Sequence, residues 1–547
     1  MNQNRTARFR TRPSWRSRAA GSLVATLAAL SIGAGAANAT PTNTTPPDAP
    51  LTVTVDSGQL HGMATGSTRQ FLGVPYAAPP VGALRWAPPM PVTHWAGVRE
   101  ATTAGSFCPQ QGLPAGVTAT INEDCLFVNV TTPLHENRGA GLPVLVWWHG
   151  GGYTTGAGSP YDAQRLADQG NVIVVTLNYR LGIFGYFGLP GLPDSGNFGF
   201  ADQIAGLRWA KRNATAFGGN PNNITVFGES AGGMSVCALL TSPQAVGLVD
   251  KAAISSGSCR LNWPTSGLLP GVAAQTPYIA VSRDQTDGSS DAATIGCTTD
   301  VLACMRGKSV ADLLPSNTDF SDHLAYGTRL LPHNPANALR DGEFVRIPVI
   351  SGGNADEERA FVGGAIQANP NSVTAQTYPE LLRQAFGSDA DTVAVHYPLS
   401  AYPSAALAWS TVITDDAWAC PTETGDQQLA AHTTVYPYEF ADPNAPNING
   451  INLPQLPQGA AHADDLPSFF DLGGVNLLRT TAQQQMAATM IDYWTRFAWT
   501  GNPNQHGAPH WARTGRTGTM ELQFVPGAIQ PVDFAAEHQC RFWESVG

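Results

Sequence analysis

The chain has 547 residues, 43% of them apolar and only 13% charged, with a formal net charge of −11. That composition allows a large buried core and excludes a disordered chain, which would carry more charge and fewer apolar residues. The acidic balance argues against nucleic acid or an anionic membrane surface as a partner.

The first 39 residues read as an export leader. Arg5, Arg8, Arg10, Arg12, Arg16 and Arg18 make a positive start, an apolar run follows to Ala36, and Ala37-Asn38-Ala39 supplies the small-x-small cleavage pattern. Losing these six arginines takes the net charge from −11 to −17. The apolar run is short and rich in Ala and Gly, and no later stretch reaches the length of a membrane span, so no membrane anchor is expected. The expected location is secreted, extracellular or periplasmic. Residues 40–50, rich in Pro and Thr, read as a flexible lead-in to a single domain over 51–547.

Within that domain, Leu51 to Val55 alternates like an edge strand. The runs Pro143 to Trp148, Asn171 to Leu177, Asn223 to Phe227 and Ile347 to Ile350 are short, apolar and bounded by turn residues, which suits buried parallel strands. Helix-like segments lie between them, at Asp162 to Gln169 and Ala201 to Phe217. Strands alternating with helices predict an α/β fold, a central mostly parallel sheet flanked by helices. Residues 260–345 and 360–430 are rich in Pro, Gly and Ala with a weaker period, and read as long insertions that form a cleft.

Eight cysteines in an exported chain favour disulfides. Cys108 and Cys125 could close one local loop and Cys297 and Cys304 another, with Cys420 and Cys540 as long-range partners. None of the spacings has the paired form of a zinc site, and neither a metal nor a cofactor is expected.

The predicted strand 223–227 runs into Gly228-Glu229-Ser230-Ala231-Gly232, with a helix-compatible stretch behind it. A G-x-S-x-G sequence between strand and helix projects a serine hydroxyl from a sharp turn, and the helix start offers N–H groups to a developing oxyanion. The strand 143–148 ends in His149-Gly150-Gly151-Gly152, a loop that brings backbone N–H groups close to a carbonyl oxygen. The expected oxyanion donors are Gly151, Gly152 and Ala231. A serine hydroxyl needs a neutral imidazole to take its proton and a carboxylate to orient that imidazole. His462, in a loop of small residues well after Ser230, is a candidate base. Asp356, Glu357 and Glu358 lie just past the predicted strand 347–350, where the acid belongs, and the residues alone do not choose among them.

These residues sit inside longer segments that resemble the type B carboxylesterases, the cholinesterase-like branch of the α/β hydrolases. The segments are FLGVPYAAPPVGALRW (71–86), EDCLFVNV (123–130), WHGGGY (148–153), VVTLNYRLGIFGYF (174–187), GNFGFADQIAGLRW (196–209), AFGGNPNNITVFGESAGG (216–233) and YWTRFAWTGNPN (493–504). The resemblance covers about residues 51–547. It implies an α/β-hydrolase fold with Ser230 as nucleophile, Glu357 as acid (from Asp356-Glu357-Glu358-Arg359-Ala360-Phe361, similar to the family's D-E-G-x-x-F) and His462 as base. It implies the pairs Cys108–Cys125, Cys297–Cys304 and Cys420–Cys540, and structural ion pairs Arg85–Glu123 and Arg180–Asp202. Glu229 is expected to face the site outside the triad.

The chain departs from the pattern at Glu358, where the family usually has Gly. The loop between Cys108 and Cys125 holds 16 residues and no Trp, which argues against choline esters. Cys237 and Cys259 have no family partner, and Cys237 reads as a buried free thiol. The implied activity is hydrolysis of a small-molecule carboxylic ester through an acyl-enzyme, with no obligate protein partner. A lipase or polyester hydrolase of the same fold is the alternative within the enzyme class, and a non-catalytic binding protein the alternative outside it.

Overall fold

A strand covered on both faces has no reason to alternate, and Leu142–Trp148 does not: all seven of its residues are buried. Val144, Val146 and Trp148 enter one apolar core. Leu145 and Trp147 enter a second. The computed structural model describes residues 49–112, 121–135, 141–321, 323–515 and 520–546. The predicted leader and most of the lead-in lie outside these residues, as does the middle of the loop between Cys108 and Cys125.

Among the described residues the central sheet has eleven strands. In chain order they are β1 (Met63–Thr65), β2 (Thr68–Pro75), β3 (Phe127–Pro133), β4 (Leu142–Trp148), β5 (Ile173–Leu177), β6 (Gly219–Glu229), β7 (Lys251–Ser255), β8 (Val349–Asn354), β9 (Val435–Phe440), β10 (Met520–Phe524) and β11 (Gln530–Asp533). Their spatial order is β11-β10-β9-β8-β7-β6-β4-β5-β3-β2-β1. Every pairing from β10 across to β5 is parallel. The pairings outside that block are antiparallel. The predicted edge strand forms as Thr52–Val55, but in a separate three-stranded sheet.

Helices α1 (Gln164–Gly170), α2 (Phe198–Asn213) and α3 (Ala231–Thr241) connect the parallel strands. The insertions are more helical than their weak period predicts. The second contains α4 (Arg359–Ala368), α5 (Ala405–Ile413), a π-helical turn at Thr414–Ala419 and α6 (Cys420–Ala430). In α5, Ala406, Ala408, Trp409, Ser410, Val412 and Ile413 are all buried. A helix buried on several sides shows no single apolar stripe.

Four disulfides and two ion pairs tie loops to this frame. Cys108–Cys125, Cys297–Cys304 and Cys420–Cys540 are joined. Cys237, expected as a free thiol, is instead bonded to Cys259, with Cα atoms 5.5 Å apart. The cause is a backbone contact one helical turn earlier. A Cβ on Gly257 would lie 2.4 Å from the carbonyl carbon of Gly233, so α3 rides against the chain leaving β7 and brings the two cysteines together. Arg180 pairs with Asp202 through two hydrogen bonds of 2.7 and 2.8 Å, and Arg85 pairs with Glu123 in the same two-pronged way.

Candidate active site

Ser230 sits between β6 and α3 with φ 54° and ψ −126°. A non-glycine residue takes that conformation only where its surroundings dictate it. The neighbouring glycines show what does so. A Cβ on Gly228 would lie 2.6 Å from the Gly232 carbonyl carbon, one on Gly232 would lie 1.9 Å from the Trp148 carbonyl oxygen, and one on Gly233 would lie 2.5 Å from the Ser255 carbonyl oxygen. The turn is tight because β4, β6, β7 and α3 meet there with no side chains between them. The Ser230 N–H is held by the Ser255 carbonyl at 3.0 Å.

The glycine loop after β4 lies against this turn. A Cβ on Gly150 would be 2.9 Å from the Ser230 Cβ and 2.6 Å from Glu229 Oε2. Gly151 and Gly152 have φ of 104° and 58°, open to glycine and strained for other residues. Among the described residues, neither of their N–H groups donates to a main-chain or side-chain acceptor. Ala231 begins α3, where N–H groups lack partners within the helix and the dipole is positive. The loop is anchored from behind by His149, which is fully buried, stacks on Tyr179 at 4.3 Å and contacts the Gly150 carbonyl through Nδ1 at 2.8 Å. Burial lowers the pKa of this imidazole to about 4, against the pull of that carbonyl, so it is neutral at pH 7.

The three adjacent carboxylates separate in space. Glu357 reaches His462, with Oε2 2.6 Å from Nδ1. Its Oε1 accepts hydrogen bonds from Ser256 Oγ at 2.5 Å and from the Asn354 N–H at 2.8 Å. Asp356 pairs with Arg359 at 2.6 Å and accepts from the Ala460 N–H. Glu358 turns to Trp418, whose Nε1–H it accepts at 3.0 Å. Neither Ser256 nor Asn354 carried a signal in the sequence, because each acts only through the carboxylate it holds.

His462 is 6% exposed. Its Nε2 lies 3.2 Å from Glu229 Oε1, a contact between charges without hydrogen-bond alignment. Burial pulls the imidazole pKa down, but Glu229, Glu357 and Asp465 outweigh it and raise it to about 9. Glu229 is itself pushed up to about 8, chiefly by burial, with His462 opposing and Asp465, Glu357 and Asp464 adding to the rise.

Ser230, His462, Glu229 and Gly150 to Gly152 line one cleft of about 500 Å³. Its other walls include Trp263, Leu268, Phe361 and Trp418, from the two insertions. Sequence reasoning placed a cleft in those insertions without finding these side chains. Among the described residues, none that lines the cleft is Lys or Arg. No group of three or more His, Cys, Asp or Glu among the described residues is arranged to hold a metal ion, and no described helix is long and apolar enough to cross a membrane. A serine on a strained turn, a carboxylate-bound imidazole and a glycine loop around one cleft make an arrangement able to carry out acyl transfer.

The model of the carboxylesterase family matches residues 49–543. The chain is 32% identical to the cocaine esterase of Homo sapiens, over 90% of this chain and 91% of that protein. It is 34% identical to the para-nitrobenzyl esterase of Bacillus subtilis (strain 168), over 83% of this chain and 90% of that one. A solved structure of a thermophylic PNB esterase superposes with a TM-score of 0.74 at 30% identity, covering 90% of this chain and 99% of that one. The chain has the α/β-hydrolase fold and belongs to the carboxylesterase family, among the carboxylic ester hydrolases.

Proposed function

We propose that the chain is a secreted serine carboxylesterase that works through Ser230, His462 and Glu357. The observation that carries this reading is the setting of His462: Glu357 holds Nδ1 at 2.6 Å, while the imidazole lines the same cleft as Ser230 and the glycine loop. Ser230 Oγ attacks the ester carbonyl carbon as His462 takes its proton, and the carbonyl oxygen gains charge facing the N–H groups of Gly151, Gly152 and Ala231. His462 then protonates the leaving alcohol, and the acyl group stays on Ser230 until water, deprotonated by the same imidazole, releases it. Each oxyanion donor is worth roughly 3–4 kcal/mol in the transition state.

The relatives' names support ester hydrolysis as the reaction, and the uncharged aromatic and aliphatic walls favour a neutral ester. Four disulfides support an oxidising location for the unit Pro46–Gly547, read as one catalytic domain behind a leader over residues 1–39. N-terminal sequencing of the exported protein, expected to begin at Thr40, checks the leader. Ser230→Ala is expected to abolish hydrolysis of a short-chain aryl ester while circular dichroism stays unchanged. Undiminished turnover in that variant refutes the triad.

A further inference from the structure

The loop after β9 carries the one Asn-Gly pair in the sequence, Asn449-Gly450. Asn447 closes a turn around it: Oδ1 accepts from the Ile451 N–H at 3.2 Å and Nδ2 donates to the Ile451 carbonyl at 2.7 Å. Asn449 and Gly450 stand exposed at the tip of that turn. Asn449 also lines the cleft that holds Ser230 and His462. Its Nδ2 donates to the His462 carbonyl at 2.9 Å. The His462 N–H donates in turn to the Glu357 carbonyl at 3.3 Å. The main chain of His462 is thus held on one side by the backbone of Glu357 and on the other by the Asn449 amide.

Gly450 gives this amide a reactive neighbour. Its φ is 68°, a Cβ on it would meet nothing within 4 Å, and among the described residues its N–H donates to no main-chain or side-chain acceptor. A glycine nitrogen can reach the Cγ of the preceding asparagine, because no side chain crowds its approach. The Gly450 nitrogen bonds to Cγ of Asn449, the Cγ–Nδ2 bond breaks, and Nδ2 leaves as ammonia with the proton from Gly450. Water then adds across one of the two ring C–N bonds of the cyclic imide. The side chain at 449 becomes that of aspartate or isoaspartate, according to which bond opens. One water is consumed and one ammonia released, with no oxidant, metal or second enzyme. The bond to the His462 carbonyl must open first, which slows the step by about fivefold.

The product differs from the amide in two ways that matter to His462. A carboxylate cannot donate, so the His462 carbonyl loses the bond from Nδ2. The new carboxylate also adds negative charge to the cleft. His462 already faces Glu229 from β6, Glu357 and Glu358 from the turn after β8, and Asp464 and Asp465 from its own loop. Among the described residues that line the cleft, no Lys or Arg offsets them. Each carboxylate, where charged, favours the imidazolium, which cannot take a proton from Ser230. We infer that Asn449 is a self-modification site: the exposed Asn-Gly turn deamidates unaided, and the carboxylate it leaves on the cleft wall lowers turnover.

The fall in turnover rests on the esterase reading, whereas the modification does not, and the two are read separately. The full chain is aged in mildly alkaline and in mildly acidic buffer, and peptide mass spectrometry follows the segment that holds Asn449. The expected result is a gain of one mass unit at Asn449, faster in alkali because the attacking nitrogen must lose its proton. No gain at Asn449, or a gain no faster than at the other exposed asparagines, overturns the modification site. Asn449→Asp supplies one product directly. Its kcat/KM for a neutral aryl ester at pH 7 is expected to fall about fivefold, through a rising limb moved up by about 0.7 pH unit. Asn449→Gln keeps an amide on a longer chain that cyclises slowly, so it holds its starting activity through ageing while the wild type loses activity in step with the mass gain. Equal kcat/KM and equal pH profiles in Asn449→Asp and wild type, or equal ageing losses in Asn449→Gln and wild type, overturn the effect on the cleft. Turnover that persists in Ser230→Ala counts against the esterase reading alone and leaves the mass measurement standing.

Discussion

Replacing Glu229 with Gln removes a carboxylate 3.2 Å from Nε2 of His462, the nitrogen that in the proposed triad must be unprotonated to accept the Ser230 proton. The substitution keeps the shape, so the expected effect is electrostatic. Two unit charges 3.2 Å apart interact by about 1.3 kcal/mol in bulk water and by about 5 kcal/mol at an effective dielectric of ~20. The water limit alone corresponds to about one pH unit in the imidazole pKa. Both side chains are buried, so the true value lies above that limit. Glu229 itself titrates near 8, so its charge on His462 develops over the same alkaline range.

The direction is fixed by the chemistry. In the proposed triad activity needs neutral imidazole, so kcat/KM is expected to rise as pH rises through the His462 pKa of about 9. Glu229 raises that pKa, so Glu229→Gln lowers it and moves the rising limb to lower pH by at least about one unit. The assay is kcat/KM against pH for a neutral aryl ester in wild type and variant, at constant ionic strength. A limb that stays in place or moves upward would show that Glu229 does not set the basicity of His462.

Two further outcomes follow from buried carboxylates. Glu357→Gln lowers kcat roughly 10,000-fold by removing the charge that orients and stabilises the imidazolium, while Glu358→Gln stays near wild type on methyl acetate; near-normal turnover in the Glu357 variant would move the acid to a neighbour. His538 is buried between Asp415 and Glu439, 2.6 Å from each. Burial lowers its pKa, but those two carboxylates raise it well above the ordinary histidine value. Its stabilising charge is therefore fully present below about pH 6.5 and lost as pH climbs through the raised value. The stability cost of His538→Gln, measured by denaturant unfolding, should accordingly shrink as pH rises above about 6.5; a cost that grows with pH contradicts the pairing.

The parts of the site that were legible in the sequence are those where backbone meets backbone. Gly228, Gly232 and Gly233 mark places where β4, β6, β7 and α3 touch without side chains, and a motif of small residues around Ser230 is the trace of that contact. Four strands of the parallel block, β4, β5, β6 and β8, were legible for a related reason, since burial on both faces demands continuous apolar runs, whereas β7, β9 and β10 were not read as strands. Glu357 was not separable from its neighbours by such a rule. All three carboxylates leave the end of β8 within one turn, and which one meets His462 depends on the path into α4 and on Ser256 and Asn354. The cleft walls were further out of reach. Trp263 and Trp418 are 155 positions apart and touch only after both insertions have folded over the sheet.

Cys237 shows where a resemblance stops helping. Having no partner in the family pattern, it read as a free thiol, yet the Gly233–Gly257 approach that lets α3 lie against the chain after β7 also places Cys237 beside Cys259. The glycines were visible in the sequence, but the distance they allow was not, because it depends on the register between a helix and a strand end. Glu358 is the complementary case. It departs from the family pattern beside a residue that follows it, and its partner, Trp418, is supplied by an insertion that carries no motif. A residue that breaks a pattern within a buried site leaves a polar group that must find a partner or remain costly. Here the partner is Trp418, whose ring lies 4.9 Å from His462 in the wall of the cleft.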